Sequence, residues 1–319
     1  MLEPRTARTI DWYRTPISRE ALRALNQRSD LWACLQVVGH LGLIACTATL
    51  AWSVQDRWWL LLPALFLHGT VYVFLLNATH ELSHSSVFDT RALNRFFLQL
   101  FCFLGWRNHI LFWTSHAEHH KYTLHPPDDL EVVLPQRMTV GAFLRVTLFD
   151  PRILYATLRK TVVHAMGRVE GEWEQHLFPP DKAQLRRALA NWARTLLVGH
   201  TLLVSLSLYY GMWLLPVLTT LGVFYGGWLR FLCNNTQHAG LQDDVPDFRL
   251  CTRTVILGPL TRFLYWHMNY HIEHHMYAAV PCYRLGRLHR LISHDLPESP
   301  RGLRAAWREI LARQAESPS

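Results

Sequence analysis

Closely spaced histidines are the residues of this chain whose types and spacing are best suited to chemistry. The sequence HIEHH places histidines at positions i, i+3 and i+4, HAEHH repeats that spacing, and HELSH carries a related pair. Residues three and four apart share one face of a helix, so each cluster presents its imidazoles in one direction. These eight residues are His80, His84, His116, His119, His120, His271, His274 and His275. Converging imidazoles are typical ligands of a transition metal, and three such clusters are not plausibly chance.

A ninth histidine, His238, belongs with these clusters through the sequence NNTQH, in which Asn234 lies one helical turn before it. A single zinc ion takes about four ligands, so nine imidazoles predict a site for two metal ions. Imidazole ligands without cysteine fit iron, copper, zinc or nickel better than magnesium or calcium. We predict iron, because only a redox metal gives such a site a use for dioxygen. The amide of Asn234 is predicted to hold a metal-bound water; the alternative is a polar group at a helix end.

Other histidines and acids of the chain have two interpretations. Three histidines lie alone in apolar runs, which favours interior hydrogen bonds over metal binding; these are His40, His68 and His200. Carboxylates within the clusters are predicted either to orient imidazoles or to be solvated or salt-bridged; these are Glu81, Glu118 and Glu273. Asp128 and Asp129 could also orient imidazoles from the cap, but a role in a turn is favoured.

Long stretches without a formal charge are expected to position the clusters as membrane-spanning helices. About 20 apolar residues span ~30 Å of hydrocarbon. The predicted spans are residues 31–54, 58–79, 193–210 and 213–233, with a turn near Tyr210 between the last two. The apolar stretch 96–106 is too short to span and is predicted to be re-entrant or interfacial.

A shared metal site requires all histidine clusters on one side of the membrane, and two helical hairpins meet that requirement. The arginine-rich segments lie on that same side, which the positive-inside rule makes cytoplasmic. We therefore predict an all-α integral membrane protein of four transmembrane helices in two hairpins, with a cytoplasmic helical cap that holds a di-metal site. The predicted divisions are a cytoplasmic N-terminal segment (1–30), a membrane domain (31–290, with its cap in 80–192 and 234–290) and a cytoplasmic C-terminal tail (291–319).

Within the cap, amphipathic helices are predicted at residues 138–149 and 151–166. Residues 250–266 are predicted to lie along the surface, because this stretch contains Arg253 and Arg262.

Composition agrees with a membrane protein. Half of the 319 residues are apolar, thirteen are tryptophan, and only 18% are charged. The formal net charge of +8 comes mostly from arginines outside the apolar stretches. No basic run is interleaved with aromatic residues, so nucleic acid is not an expected partner.

The clusters HELSH, HAEHH and HIEHH, with NNTQH between the last two, resemble those of the membrane fatty acid desaturase superfamily in order and spacing over roughly residues 30–290. The superfamily also contains carotenoid hydroxylases and ketolases, and alkane hydroxylases. The resemblance implies a non-haem di-iron centre, four transmembrane helices and a cytoplasmic cap. Carried over by position, the implied iron ligands are His80, His84, His116, His119, His120, His238, His271, His274 and His275, with Asn234 as a water-mediated ligand.

The resemblance further implies oxidation of an unactivated C–H bond with O2 as co-substrate. Loss of a second hydrogen gives a double bond, and we predict an enzyme that desaturates a fatty acyl or other lipid-like chain. The alternatives are a hydroxylase or ketolase of a carotenoid, alkyl or sphingoid substrate, or a desaturase of a specialised metabolite. No haem-binding HPGG element or nucleotide-binding glycine fingerprint is present, so no fused haem or flavin domain is expected. An external ferredoxin, rubredoxin or cytochrome is predicted as the electron donor.

A histidine-rich metal transporter or haem-binding membrane protein is the alternative from another class. Transporters place ionisable residues near the bilayer midplane, whereas these clusters lie beyond the ends of the predicted spans.

Gly69 also has two interpretations. If residues 58–79 continue as one helix into His80, then Gly69 lies on the same side as His80, where a glycine would leave room for the end of an acyl tunnel. The favoured alternative is close helix packing, for which small residues are common in membranes.

Overall fold

The computed structural model describes residues 8–134 and 138–316. The first residues of the predicted N-terminal segment (1–7), three residues of the predicted cap (135–137) and the last three of the predicted C-terminal tail (317–319) lie outside it. The regular secondary structure of the described residues is helical, and their β-pairing is limited to isolated bridges.

The α-helices are, in chain order, α1 (Arg19–Leu25), α2 (Asp30–Ser53), α3 (Trp58–Tyr72), α4 (Leu75–Ser83), α5 (Arg91–Leu104), α6 (His109–Tyr122), α7 (Val140–Leu148), α8 (Pro151–Ala165), α9 (Glu172–Leu177), α10 (Ala183–Tyr209), α11 (Leu214–Leu218), α12 (Trp228–Asn234), α13 (Phe248–Cys251), α14 (Pro259–Leu264), α15 (His271–Met276), α16 (Leu285–Ile292) and α17 (Leu303–Glu316). Short 3-10 helices lie directly before α16, at Cys282–Arg284, and directly after it, at Ser293–Asp295.

The first two predicted spans correspond to a pair of helices packed side by side. Among the described residues, two helical stretches are long and apolar enough to cross a membrane, Asp30–Ser53 and Trp58–Ser83. The second comprises α3 and α4, which meet at a two-residue bend. Large apolar side chains such as Leu31, Leu35 and Leu62 point outward from the pair and are exposed, as expected for a surface that faces lipid.

The region predicted to form the last two spans is less regular. Helix α10 ends at Tyr209, and Gly211 turns the chain with a φ of +70°, where the sequence predicts the turn. Residues 213–233 do not form one helix, because α11 and α12 are separated by an irregular stretch. That stretch packs directly on α3: a Cβ atom added to Gly226 would lie only 2.6 Å from the backbone nitrogen of Thr70.

Each histidine that is isolated in an apolar run makes the interior hydrogen bonds predicted for it. His40 Nε2 donates to the Val71 carbonyl (3.1 Å), and His68 Nε2 donates to the Leu218 carbonyl (2.8 Å). His200 Nε2 donates to the Phe103 carbonyl at 2.9 Å. These bonds tie α2 to α3, α3 to α11 and α10 to α5, and they occupy nitrogens that would otherwise be buried without partners.

Two helices of the predicted cap form where the sequence indicates amphipathic segments. Thr139 caps α7 by accepting a hydrogen bond from the Ala142 backbone N–H. Asp150 caps α8 in the same way, and Pro151 occupies the first helical position, where its missing N–H costs nothing. Helix α8 packs along α10.

The predicted surface position of residues 250–266 is wrong, because most of this stretch is buried. Arg253 is only 5% exposed, and its Nη1 donates to the carbonyls of Thr236 and Ala239 at 2.8 and 2.9 Å. Its Nη2 lies 3.2 Å from a carboxylate oxygen of Glu309 on α17. Acceptors from two distant segments therefore allow this arginine to be buried.

Close packing explains Gly69 better than a tunnel wall. A Cβ atom added there would lie 2.5 Å from the carbonyl oxygen of Tyr225 and would also meet the Tyr225 ring. We expect Gly69→Leu to lower the free energy of unfolding by about 1–3 kcal/mol or more, because a backbone oxygen cannot move aside as a side chain can. Thermal unfolding in detergent measures this. Gly42→Leu is the matched control, since no atom of the described residues lies within 4 Å of its added Cβ. Equal stability of the two variants would contradict the packing assignment.

Candidate metal centre

Four segments of the chain carry the predicted site histidines to one place. Helix α4 carries HELSH at its carboxyl end, α6 carries HAEHH, and α15 carries HIEHH. His238 follows the end of α12 by four residues. The side chain of Asn108 caps α6 by accepting hydrogen bonds from two backbone N–H groups, which fixes the start of the helix that carries the second cluster.

The imidazoles form two groups. In the first group the facing ring nitrogens all lie within 4.8 Å of one another; its members are His80, His84, His116, His120 and His274. The second group meets the same criterion with His119, His238 and His275. Nε2 of His271 lies 3.1 Å from Nε2 of both His238 and His275, which joins it to the second group. All nine predicted histidines are thereby brought together.

Each HxxHH cluster contributes to both groups. Successive residues on a helix differ in direction by about 100°, so His119 and His120 face different groups, as do His274 and His275. The rings of His120 and His275 stack with their centroids 4.4 Å apart, so the two groups are direct neighbours. This arrangement suits two metal ions held side by side.

The spacing of the nitrogens fits metal ions. Nε2 of His120 lies 3.0 Å from Nε2 of His116 and 3.2 Å from Nε2 of His274. Two nitrogens that bind one ion at about 2.1 Å, with an angle of about 90–110° between them, are about 3.0–3.4 Å apart. The Nε2 atoms of His80 and His84 are buried without a hydrogen-bond partner among the described residues, a costly state that a bound cation would relieve.

Burial also keeps most of these imidazoles in the neutral form that binds metals; the exception is His119, where burial is outweighed by the Asp129 carboxylate, which raises the pKa of the ring. Burial holds the pKa of His116, His120, His271, His274 and His275 well below the usual value, and the neighbouring histidines add to the effect. Neutral imidazole is the form that donates a lone pair to a metal, so the residues present fit a transition-metal pair.

Hydrogen bonds at Nδ1 orient several of the rings. Nδ1 of His116 lies 2.8 Å from Glu131 Oε1, and Nδ1 of His119 lies 2.8 Å from Asp129 Oδ2. Nδ1 of His238 donates to the Cys251 carbonyl at 2.9 Å. Such partners fix the tautomer and leave Nε2 free for a metal.

The three carboxylates within the clusters differ in whether they contact a cluster histidine. Glu81 lies 2.9 Å from His80 Nδ1, and Glu273 contacts His289, which lies outside the clusters. Glu118 makes no hydrogen bond with any residue in the described parts of the chain. Asp129 has both predicted roles: it accepts hydrogen bonds from the backbone N–H groups of two turn residues, and it contacts a cluster histidine, His119.

Glu131 and His289 are two side chains at the site that the sequence does not reveal. Glu131 follows the histidines of α6 across a turn that contains two prolines, and no regular spacing relates it to His116. His289 reaches Glu273 from a separate helix, α16. Only the folded chain brings these pairs together.

Asn234 lies at the last position of α12 and is half-buried. Its side chain makes no hydrogen bond with any residue that the structure describes. The neighbouring amide of Asn235 is different, because its Nδ2 donates to the Phe231 carbonyl at 2.8 Å. Asn234 therefore has an amide available for another contact.

Comparison with known proteins gives a family and two relatives. A profile described as fatty acid desaturase matches residues 56–307. The chain is similar to a protein of Oryza sativa subsp. japonica named sphingolipid delta(4)-desaturase DES1-like, with 25% identity over 290 residues that cover 88% of this chain and 78% of the relative. It is also similar to the Homo sapiens protein named sphingolipid delta(4)-desaturase/C4-monooxygenase DES2, with 26% identity over 290 residues that cover 86% and 79%.

Proposed function

Since the chain belongs to the fatty acid desaturase family, we propose that it is a membrane-bound di-iron enzyme that uses O2 to desaturate the hydrocarbon chain of a lipid. The observation that carries this proposal is the convergence of nine buried or half-buried imidazoles in two adjacent groups, with each HxxHH cluster contributing to both.

The first iron is proposed to bind the group of His80, His84, His116, His120 and His274. The second is proposed to bind His119, His238, His271 and His275, with Asn234 holding a water ligand. Bound iron would supply the activation of O2 and the oxidation of an unactivated C–H bond.

The chain's own residues orient several of the imidazoles, keep most of them neutral through burial, and exclude bulk water. Asp129 and Glu131 hold two of the rings through Nδ1. Exclusion of water protects a reactive site from side reactions. Removal of two hydrogens from a lipid chain, with reduction of O2 to two waters, requires two electrons and two protons from outside. An external ferredoxin, rubredoxin or cytochrome is proposed as the electron source.

Hydroxylation is the second candidate activity, and one observation favours it. The human relative is named both a desaturase and a C4-monooxygenase, so its name assigns both outcomes to one protein. Both outcomes begin with removal of one hydrogen from an unactivated C–H bond. The names of both relatives also support a sphingoid lipid as the class of substrate.

The proposed topology has four transmembrane helices in two hairpins, with spans in residues 31–54, 58–79, 193–210 and 213–233. The cap (80–192 and 234–290) and both chain ends (1–30 and 291–319) are proposed to be cytoplasmic. The helices Asp30–Ser53 and Trp58–Ser83 support the first hairpin. In the second, α10 and the broken pair α11 and α12 would cross the membrane, with the irregular stretch shielded from lipid by α3.

Lipid analysis of a host with and without the protein tests the proposed function. We expect a lipid that has lost two hydrogens, or gained one oxygen, only in cells that carry the intact protein. A variant with His275→Ala, expressed at the same level, is the matched control. An unchanged lipid profile in a host that supplies all the electron donors named above, with iron-loaded protein present, would contradict the proposal.

Asn234→Ala is expected to lower turnover at least about tenfold, because the loss of a contact beside a metal typically costs 10–100-fold. Asn235→Ala is the matched control and is expected to have a mild effect, since this side chain only bonds back to its own helix. Turnover of the two purified variants, at equal iron content, provides the measurement. Equal mild effects would remove Asn234 from the site.

A further inference from the structure

A cavity of about 630 Å³ lies between the segment that precedes α2 and one face of α5. Three arginines line it: Arg28 comes from that segment, and Arg91 and Arg95 come from α5. No aspartate or glutamate of the described residues lines this cavity, which we call the basic cavity. A concentration of positive charge without acidic partners attracts anions.

Contacts between the starts of two helices bring the three arginines together. Asp30, the first residue of α2, accepts hydrogen bonds at Oδ1 from the last two backbone N–H groups before α5, at 2.8 and 3.0 Å. These bonds tie the start of α2 to the start of α5, and Arg28 lies two residues before α2. Arg91 and Arg95 are four residues apart, so they share one face of α5. The basic cavity is therefore built by the packing of α5 beside α2.

The three guanidinium groups are available for a ligand. All three side chains are exposed, and none of them forms an ion pair or a side-chain hydrogen bond within the described parts of the chain. Asn94, on the same face of α5, is already engaged, because its Nδ2 donates to the Leu82 carbonyl at 2.8 Å. The arginines are thus the groups of the basic cavity that are free to bind.

The basic cavity lies where the first proposed span enters the membrane. Leu31 and Trp32, in the first turn of α2, are more than half exposed, and so is Phe96, the residue after Arg95. Exposed tryptophan and large apolar side chains beside arginines are typical of the cytoplasmic membrane interface. A ligand of the basic cavity therefore has positive charge on one side and lipid-facing apolar surface next to it.

A phospholipid with a net negative charge matches both features. The planar guanidinium group binds phosphate oxygens through paired N–H donors, and basic cavities at the cytoplasmic ends of membrane helices suit anionic head groups. A free phosphate ion would use the arginines alone. An acidic protein would need a surface that is not covered by lipid, which the exposed Trp32 and Phe96 do not provide.

We propose that the basic cavity binds the phosphate of an anionic membrane phospholipid, whose acyl chains lie against the apolar surfaces of α2 and α5. The proposal rests on the proposed topology, which sets the level of the cavity in the membrane. It does not depend on which lipid is oxidised.

The basic cavity adjoins the metal centre. It shares Ser85, Leu98 and His109 with a neighbouring cavity of about 430 Å³. The neighbouring cavity is also lined by His84, a proposed iron ligand, and by Trp113. A phospholipid in the basic cavity would therefore lie one cavity away from the first proposed iron.

Binding to the iron-loaded, delipidated full chain in a neutral detergent, without reductant, tests the site. The probe is fluorescently labelled phosphatidylglycerol, which is displaced by unlabelled competitors. We expect phosphatidylglycerol to displace the probe at a concentration about tenfold or more below that of phosphatidylcholine, which has the same phosphate but no net charge. Equal displacement by the two lipids would overturn the inference.

Inorganic phosphate is the competitor that separates a lipid from a free anion. We expect it to displace the probe only at concentrations far above those of phosphatidylglycerol, because it gains nothing from the apolar surface. Displacement at the same concentration as phosphatidylglycerol would assign the cavity to a free anion and overturn the inference.

Arg28→Gln and Arg91→Gln should each weaken binding of phosphatidylglycerol by about fivefold, the effect typical of one arginine beside an anionic head group. The control is Arg187→Gln, which removes an exposed arginine on α10 near the start of a proposed span but outside the basic cavity. We expect this control to bind phosphatidylglycerol as the parent does. Equal weakening in all three variants would indicate general attraction to the membrane and would overturn the site.

An acidic ferredoxin is the competing occupant of this face. Unchanged phosphatidylglycerol binding in the Arg28 and Arg91 variants, with weaker binding of the ferredoxin, would assign the face to a protein and overturn the inference. None of these measurements requires turnover, so their failure leaves the proposed function intact. Failure to oxidise any lipid, with phosphatidylglycerol still bound as expected, would contradict the proposed function and support the phospholipid site.

Discussion

Replacing His275 by alanine is expected to abolish turnover while the protein still folds and inserts into membranes. Nε2 of His275 lies 3.1 Å from Nε2 of His271, within the group proposed to bind the second iron. Its loss removes a ligand and opens a space beside His120, whose ring stacks on it. His119→Ala should have the same effect, because His119 belongs to the same group.

Turnover and bound iron of the purified variants provide the measurement. We expect activity below detection and a loss of up to one equivalent of iron. The matched control is His294→Ala, which removes an exposed histidine outside both groups and should leave iron and activity unchanged. Activity in His275→Ala above about a tenth of the parent would contradict its assignment as a ligand, since a lost ligand costs more than the 10–100-fold typical of its outer partners.

Asp129→Asn is expected to weaken iron binding by about 10–100-fold, the usual effect of losing a partner that orients a metal ligand. The Asp129 side chain is fully buried. Its Oδ2 lies 2.8 Å from His119 Nδ1 and accepts from the Leu124 backbone N–H at 2.9 Å, while Oδ1 accepts from the Glu131 backbone N–H. The side-chain amide of asparagine would place its NH2 group against one of these N–H donors. The hydrogen bonds that hold the turn and the His119 ring would therefore be weakened.

Competition with an iron chelator measures this change as a shift in the chelator concentration that removes half of the metal. Glu118→Gln is the matched control, because Glu118 lies within the second histidine cluster and makes no hydrogen bond with a described residue. If the two variants release iron at the same chelator concentration, Asp129 has no orienting role.

The candidate site could be predicted from sequence because its histidines are encoded in local clusters. Spacings of three and four residues put His116 with His119 and His120 on one helix face before any fold is known. The same local logic correctly separates His40, His68 and His200 from the site, since each is isolated among apolar residues. Which imidazole belongs to which metal group depends on how α4, α6 and α15 pack, and the spacing does not specify it.

Features that depend on contacts between distant segments could not be predicted. The charge of Arg253 predicts a surface position as long as its hydrogen-bond acceptors at residues 236, 239 and 309 are unknown. The uncharged stretch 213–233 is compatible with one helix until Gly226 is seen against the backbone of Thr70. Glu131 reaches His116 only after the chain turns back beyond α6. In each case the deciding interaction lies far away in sequence.

The iron content of active protein tests the central claim most directly. Nine imidazoles in two adjacent groups exceed what one ion can bind, so purified, fully loaded protein should contain close to two irons per chain. Turnover measured on the same samples should rise with iron content up to that value. Full activity at a reproducible single iron per chain, or in samples without iron, would contradict a di-iron enzyme.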